Sequence, residues 1–159
     1  MYRILELLEN NADLTPKELA VILNLNIDEV EAAIAQYKKD GIIVGKRTVV
    51  NWQKTEREYV TAMIELKVTP QFGKGFDEIA ERCFQYEQVK SVYLMSGGYD
   101  LSLTVEGRTL TEVALFVAEK LAPMDQVLST TTHFVLKKYK EDGIPLESQH
   151  KDERRVMMF

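Results

Sequence analysis

Three side chains in the first third of this 159-residue sequence could bind nucleic acid. Lys46 and Arg47 are adjacent cations in a short predicted turn. Cations in such a turn can bind phosphate, a contact that positions a protein on nucleic acid without reading its sequence. Gln36 lies on the polar side of a predicted helix, and a glutamine amide can bond bidentately to the edge of an adenine. Ordinary solvated surface explains Gln36 equally well, whereas for Lys46 and Arg47 phosphate binding is favoured over a merely exposed turn.

A second candidate site is the turn Gly97-Gly98-Tyr99-Asp100. Glycine N–H groups, which no side chain shields, could hold a carboxylate, while Asp100 takes the ammonium of the same ligand. An amino acid zwitterion needs such a pair of opposite sites close together. Tyr99 could wall the pocket, and the Thr132 hydroxyl could contribute. A plain hairpin turn explains the same residues, because glycine and aspartate are common where a chain reverses.

No motif predicts a catalytic centre, a metal site or a cofactor. The histidines, His133 and His150, are not spaced as ligands, and Cys83 lies on the apolar side of a predicted helix. A single cysteine cannot form an internal disulfide, which fits a reducing compartment. No apolar run approaches the ~20 residues that a membrane span needs, and the N-terminus lacks a signal-peptide pattern. These features predict a cytoplasmic protein with no membrane partner.

The sequence before and around the candidate nucleic-acid site predicts two short helices joined by a tight turn. The first helix is predicted to begin after Thr15. The Thr15 hydroxyl can accept from the Glu18 N–H while the Glu18 carboxylate accepts from the Thr15 N–H, which is a capping box. Pro16 suits the first helical position, where its missing N–H costs nothing. Asn26 caps the second helix, and Gly41 ends it. The buried stripe predicted for this helix consists of Ile27, Val30, Ile34 and Tyr37. Such a pair predicts a helix-turn-helix. Its candidate DNA-binding residues are Thr15, Asn26, Asp28, Glu29, Ala32, Gln36, Lys46 and Arg47.

Two strand-like segments follow the second helix. Ile42-Ile43-Val44 and Thr48-Val49-Val50 flank the turn Gly45-Lys46-Arg47. This pattern predicts a small β-hairpin, so residues 1–51 are predicted to form a winged helix-turn-helix, with Lys46 and Arg47 on the wing.

The charge of this region is unusual for a DNA reader. The whole chain carries a formal net charge of −5, and residues 1–53 hold six Lys and Arg against eight Asp and Glu. Each cation lost from a phosphate contact weakens binding and flattens its salt dependence. Three alternatives stay open: weak DNA binding, affinity gained from several copies in a ring, or loss of DNA binding.

The rest of the chain changes to a β-α-β-β-α-β order. The first predicted strand alternates, with one face formed by Ala62, Ile64, Leu66 and Val68. A helix near residues 73–86 is predicted from the helical spacing of Phe76, Ile79, Ala80, Cys83 and Phe84, and a second from that of Leu110, Val113, Ala114, Val117 and Leu121. Residues 52–58 are predicted to be a linker, residues 59–137 a ferredoxin-like domain with both helices on one face of its sheet, and residues 138–159 a tail. The fold class is therefore α+β. The uncovered sheet face predicts a dimer formed through this domain. It carries Met63, Ser102, Thr104, Thr131 and His133.

Together these patterns resemble the Lrp/AsnC family of transcription regulators (leucine-responsive regulatory protein and relatives). The resemblance is carried by Leu14-Thr15-Pro16-Lys17-Glu18-Leu19-Ala20, Gly41-Ile42-Ile43, Gly97-Gly98-Tyr99-Asp100-Leu101, and Thr132 with Leu136. It implies sequence-specific binding to double-stranded DNA. It also implies homodimers joined through a C-terminal amino-acid-metabolism regulator (RAM) domain, further assembly into rings that can be octameric, and a small effector, frequently an amino acid, bound between those domains.

Two other functions fit the same architecture. The first is an effector-binding oligomer that modulates a partner regulator by mixed assembly, which the charge-poor second helix would suit. The second is an enzyme resembling the sirohaem decarboxylases. That chemistry needs His and Arg groups facing a tetrapyrrole, and the C-terminal domain offers only His133 with few arginines nearby.

Overall fold

The computed structural model of the chain describes residues 2–69 and 75–147. Two compact units are present, Met1–Val49 and Val50–Phe159, and each is described by itself. The start of the helix predicted near residues 73–86 and the end of the predicted tail, residues 148–159, lie outside the described residues.

Three helices build the first unit: α1 (Tyr2–Asn10), α2 (Pro16–Leu23) and α3 (Ile27–Lys39). The turn between α2 and α3 reverses at Asn24, whose φ of 54° is left-handed. Asparagine tolerates this conformation better than most residues. The two helices therefore meet at the tight turn that the sequence predicts.

Both predicted helix caps are present. The Thr15 hydroxyl accepts from the Glu18 N–H at 3.3 Å, and the Glu18 carboxylate accepts from the Thr15 N–H at 2.7 Å. At α3, the Asn26 side chain accepts from the Asp28 N–H and the Glu29 carboxylate accepts from the Asn26 N–H, each at 3.2 Å. These bonds satisfy N–H groups that a helix start leaves unpaired.

The core of the first unit is small. It consists of Ile4, Leu19, Ala20, Val30 and Tyr37. The predicted inward stripe of α3 is confirmed at Val30 and Tyr37, but Ile27 is 40% exposed. Ile27 is the first residue of α3, where the helix has not yet reached the core.

The two predicted wing strands are not formed. Residues 42–50 run without helix or strand pairing. Two backbone bonds hold the start of this segment, because the N–H groups of Ile42 and Ile43 both donate to the Tyr37 carbonyl. A two-stranded hairpin is marginal in isolation, so alternating apolar residues do not by themselves enforce one.

The second unit is a four-stranded antiparallel sheet with two helices on one face. Its strands are β1 (Val60–Val68), β2 (Val89–Leu94), β3 (Leu101–Gly107) and β4 (Val127–Phe134), in the order β2-β3-β1-β4. The helices are α4 (Asp77–Phe84) and α5 (Leu110–Phe116), and α5 continues into a π-helical turn over Val117–Leu121. The predicted ferredoxin-like β-α-β-β-α-β domain is confirmed.

The core lies between this sheet and its helices. Ala62, Ile64, Leu66 and Val68 alternate inward along β1, as predicted, against residues such as Ile79 of α4. Other positions differ from the prediction. Phe84, at the last turn of α4, is 59% exposed. On α5 the residue that turns inward is Phe116, not the predicted Ala114.

The segment before β1 contacts residues that follow β4. Trp52–Lys54 forms a single 3₁₀ turn, and the Asn51 amide donates to the Leu146 carbonyl at 2.7 Å. The Arg57 guanidinium lies 4.4 Å from the Trp52 ring centre, and the Lys138 ammonium lies 5.6 Å from the Tyr59 ring centre. The Arg57 guanidinium also lies 5.9 Å from the Tyr59 ring centre, and this contact joins the predicted linker to the sheet unit.

Part of the predicted tail forms a short hairpin. Its strands are β5 (Lys140–Glu141) and β6 (Ile144–Pro145). Asp142 and Gly143 between them both have positive φ, 44° and 80°. Aspartate followed by glycine is the typical pair for a two-residue hairpin turn of this kind.

Candidate nucleic-acid interface and effector site

The exposed side of α3 combines small, acidic and amide side chains. Asp28, Ala32 and Gln36 are spaced four residues apart, so they lie along one face of the helix, and all are exposed. The Gln36 Nε2 donates to Asp40 Oδ1 at 2.8 Å. This bond fixes the direction of the amide, while its second N–H and its oxygen stay available for a base edge. Asp40 is not among the residues predicted from the sequence, although its spacing of four residues from Gln36 places the two side chains on one helix face.

Three of the predicted DNA-binding residues act as helix caps. Thr15, Asn26 and Glu29 make the reciprocal cap bonds at the starts of α2 and α3. Hydrogen bonds to the Glu18 carboxylate from the Thr15 backbone and hydroxyl lower the pKa of that carboxyl. The geometry therefore gives these residues a structural role, and their contact with DNA remains a prediction.

Lys46 and Arg47 lie in the extended segment instead of on a paired wing. The Lys46 ammonium donates to the Ala12 carbonyl at 2.7 Å, which ties the segment back to the loop after α1. An ammonium has three donors, so this bond leaves two for a phosphate. Both residues are exposed.

The turn between β2 and β3 contains the second candidate site. The Met95 N–H donates to the Asp100 carbonyl at 2.8 Å and closes the turn. Gly97 has a φ of 147°, a conformation that side chains rarely permit, so glycine is needed there for backbone reasons. Among the residues that the structure describes, the N–H groups of Gly97 and Gly98 donate no hydrogen bond. They are exposed and available to an anion.

Asp100 has a structural role that its position in the sequence does not reveal. Its Oδ2 accepts from the Val68 N–H at 2.9 Å, and its own N–H donates to the Leu66 carbonyl at 2.9 Å. These bonds join the start of β3 to the end of β1, where the pairing of β1 with β4 shifts register. Asp100 therefore stabilises the sheet at this irregularity.

Thr132 does not join this turn within one chain. It pairs with Ile64 on β4, and β1 separates β4 from β3. Neighbouring strands are about 4.8 Å apart, so two strand spacings separate Thr132 from the strand that Asp100 precedes. Thr132 also lies on the helix-covered side, because its partner Ile64 is fully buried. The structure brings together Gly97, Gly98, Tyr99 and Asp100 alone.

The other face of the sheet carries the predicted dimer surface. Cross-strand pairs place Met63 beside Thr104 and His133. Met63 is 48% exposed and Tyr93, on the neighbouring β2, is 60% exposed. His133 Nε2 lies 3.3 Å from Glu65 Oε1 on the same face. This face therefore combines exposed apolar surface with groups that can form specific polar contacts.

One end of this face is polar and partly buried. The Tyr59 hydroxyl donates to the Glu106 carboxylate, and burial together with this bond raises the pKa of Tyr59 to about 12. Thr61, directly across from Glu106, is 5% exposed. Tyr59 is therefore a neutral phenol near neutral pH, bonded to Glu106 at this end of the face.

Metal ligands, the single cysteine and membrane helices were each considered for the described part of the chain. Within residues 2–69 and 75–147, no three His, Cys, Asp or Glu side chains gather as metal ligands would. Burial raises the pKa of the Cys83 thiol to about 11, so it stays protonated near neutral pH. Across the same residues no helix has both the length and the apolar character to cross a membrane.

Comparison with known families matches both units. Residues 1–44 match the winged helix-turn-helix DNA-binding family, and residues 61–145 match the Lrp/AsnC ligand binding domain. An uncharacterised HTH-type transcriptional regulator of Bacillus subtilis, YugG, is 44% identical over 155 residues, which cover 97% of this chain and 93% of YugG.

Solved structures share the fold at lower sequence identity. A transcriptional regulator from Neisseria meningitidis, solved as a complex with L-Met, superposes with a TM-score of 0.68 at 22% identity, covering 87% of this chain and 88% of its own. The feast or famine regulatory protein from M. tuberculosis, complexed with L-methionine, gives a TM-score of 0.71 at 19% identity, covering 89% and 95%. The names of these relatives do not favour the decarboxylase alternative. The chain belongs to the Lrp/AsnC family and is a DNA-binding transcriptional regulator.

Proposed function

We propose that this regulator responds to an amino acid that binds at the turn between β2 and β3. The observation that supports this proposal is that the Gly97 and Gly98 N–H groups are exposed and unbonded in the described structure, in the same turn as Asp100. Two such N–H groups suit the carboxylate of an amino acid, and a nearby carboxylate suits its ammonium. The two solved relatives with bound L-methionine support the ligand class. Tyr99, between Gly98 and Asp100 in sequence, is proposed to contribute an aromatic wall.

Binding to the protein's own upstream DNA tests this function. We expect preferential binding over an unrelated duplex, with a steep dependence on salt. We also expect at least one amino acid from a panel of twenty to change that affinity by about fivefold or more, which is the lower range of allosteric coupling. Equal, negligible binding to both duplexes would contradict DNA reading by this chain, and an unchanged affinity with every amino acid would contradict the effector class.

The DNA contact is proposed to use the exposed side of α3 and the segment after it. Ala32 can contact a thymine methyl group, Gln36 can pair with adenine, and Lys46 with Arg47 can bind phosphate. Asp28 at the start of α3 is exposed and anionic, so it disfavours phosphate nearby. Affinity per copy is therefore modest, and the binding of two or more linked copies compensates for it.

The open sheet face is proposed to form a homodimer. Met63 and Tyr93 supply its apolar centre, and His133 and Glu65 can form polar contacts with the second copy. A two-fold interface uses the same patch on both copies, which one sheet face can provide.

Introducing a charge at the centre of this face should abolish the dimer. For Met63→Glu we expect a monomer by light scattering at micromolar concentration, because an unpaired carboxylate would be buried in the interface. Leu115→Glu on α5 is the matched control, since Leu115 is 50% exposed against 48% for Met63 but lies on a helix. A dimeric Met63→Glu, or a control that dissociates equally, would reject this face as the interface.

A further inference from the structure

The side-chain amide of Asn51, near the start of the second unit, joins two segments that are far apart in the sequence. Its Oδ1 accepts from the Gln53 N–H at 3.2 Å and so caps the 3₁₀ turn Trp52–Lys54. Its Nδ2 donates to the Leu146 carbonyl at 2.7 Å, and this bond is partly buried. Partial burial lowers the local dielectric, which strengthens a hydrogen bond relative to an exposed one. Asn51 thus ties the chain that enters the second unit to the chain that follows its sheet.

The tail hairpin, residues 137–147, holds the Leu146 carbonyl in place. Its strands β5 and β6 pair antiparallel, and the Leu146 N–H donates to the Tyr139 carbonyl at 2.9 Å. At its base the Lys137 ammonium lies 2.7 Å from the Glu147 carboxylate. This pair raises the pKa of Lys137 and lowers the pKa of Glu147. The hairpin is therefore closed by its own bonds, of which the exposed ion pair contributes least to stability.

More contacts join the tail hairpin to residues 51–59. The Gln53 Nε2 donates to the Lys138 carbonyl at 3.4 Å. The Lys138 ammonium lies 5.6 Å from the Tyr59 ring centre and 3.3 Å from the Glu141 carboxylate. The side chain of Lys138 is only 19% exposed, so salt screens these interactions less than those of a fully exposed cation. The bond from Asn51 is therefore one of several contacts between the same two segments.

The first unit holds the connecting chain at a different residue. The Lys46 ammonium donates to the Ala12 carbonyl at 2.7 Å, and two backbone N–H groups at the start of the same extended segment donate to the Tyr37 carbonyl. All three bonds lie within the first unit. Residues 47–50 separate Lys46 from Asn51, and they have neither helix nor strand pairing. Each unit thus has its own anchor, with four residues between the two anchors.

We propose that the tail hairpin clamps residues 51–59 to the second unit, so that the joint between the two units consists of residues 47–50. The linker predicted at residues 52–58 then belongs to the second unit and does not connect the units flexibly. Four extended residues span about 14 Å at most, whereas twelve residues, 47–58, would span roughly 40 Å. The clamp therefore shortens the chain that allows the DNA-binding unit to move.

One consequence of the clamp rests on the proposed function. Two linked copies raise the effective concentration of each other's DNA-binding unit, and this concentration falls as the linking chain lengthens. Opening the clamp lengthens the connection of each copy about threefold. The tail hairpin therefore regulates how strongly two copies cooperate on DNA.

Hydrogen exchange of the full chain without DNA tests the clamp. Asn51→Asp keeps an oxygen that can cap the Gln53 N–H, but at neutral pH its carboxylate cannot donate to the Leu146 carbonyl. We expect backbone amides in both residues 53–58 and residues 139–146 to exchange about fivefold faster or more, because the two segments open together. Amides of β1 should exchange at an unchanged rate, which shows that the variant is folded.

Asn10→Asp is the matched control for this substitution. The Asn10 Nδ2 donates to the Glu6 carbonyl at 2.7 Å, so the control removes a bond of the same type and length from the first unit. It should leave the exchange of both segments unchanged. Unchanged exchange in Asn51→Asp would overturn the clamp. Faster exchange of residues 53–58 alone would also overturn it, because Asn51 would then act only as a local cap.

Limited digestion with trypsin locates the joint. Within residues 40–60 of the unmodified protein, we expect the first cut after Arg47, at the joint, and slower cuts after Lys54 and Arg57, which the clamp protects. In Asn51→Asp the cut after Lys54 should become about fivefold faster or more. A first cut after Lys54 or Arg57 in the unmodified protein would place the joint in the predicted linker and overturn the proposal. Neither readout uses DNA or an amino acid, so failure of the clamp is distinguishable from failure of the proposed function.

Discussion

The double change Lys46→Ala with Arg47→Ala should lower affinity for the protein's own upstream DNA by about tenfold or more at roughly 0.1 M salt. Each cation that contacts a phosphate adds close to one unit to the slope of log affinity against log salt. We therefore expect the slope to become less steep by about two per chain. Binding to unrelated duplexes should weaken in the same proportion, because phosphate contacts carry no sequence information. Filter binding or fluorescence anisotropy across a salt series measures all three quantities.

A matched control separates this effect from a general change in charge. Lys90→Ala with Lys120→Ala removes the same two charges from exposed positions of the second unit. We expect these changes to leave both affinity and salt slope close to those of the unmodified protein. If the two double variants lose affinity equally, Lys46 and Arg47 make no specific phosphate contact. Loss of the Lys46 bond to Ala12 is a second possible cause of weakening, and Lys46→Arg with Arg47 retained tests it, since arginine keeps the charge but changes the donor geometry.

Asp100→Ala should unfold the second unit more easily, by about 2 kcal/mol in the free energy of unfolding. The Val68 N–H would lose its carboxylate acceptor at 2.9 Å, and hydrogen bonds to charged groups contribute about 1.5–3 kcal/mol. Asp100→Asn keeps an acceptor oxygen at the same place and should cost well under half as much. Urea denaturation of both variants, followed by circular dichroism, gives the two free energies.

The same pair of variants separates the structural role from the effector role. Asp100→Asn removes the negative charge that is proposed to bind the ammonium of the effector, while it retains the bond to Val68. We expect it to remain folded and to lose the response of DNA binding to the amino acid, with affinity for the amino acid reduced about tenfold or more. A response retained by Asp100→Asn would place the ammonium site elsewhere.

Features that depend on residues close together in the chain could be predicted from the sequence. The caps at Thr15 and Asn26 depend on bonds that reach three residues at most, so residue types and spacing predict them. The alternation along β1 and the order of helices and strands likewise follow from local periodicity. The helix-turn-helix, the ferredoxin-like unit and the family resemblance could all be predicted at this level.

The glycine turn could also be predicted from its residue types, but the hydrogen-bond partner of Asp100 could not. Asp100 bonds to Val68, 32 residues earlier, and nothing in the sequence near Asp100 indicates that contact. Thr132 shows the opposite case. Its residue type suited an effector site, but strand order places β1 between it and the turn.

The sequence by itself determined the two-unit architecture, the helix caps and the candidate residues on α3 and in the glycine turn. Tertiary structure alone decided which of those residues meet. It left residues 42–50 without wing strands, because no neighbouring strand in the described chain pairs with them. It also bound Asn51 to Leu146, 95 residues away. Local patterns are set by bonds between near neighbours, whereas strand order and long-range contacts depend on how all elements share one core.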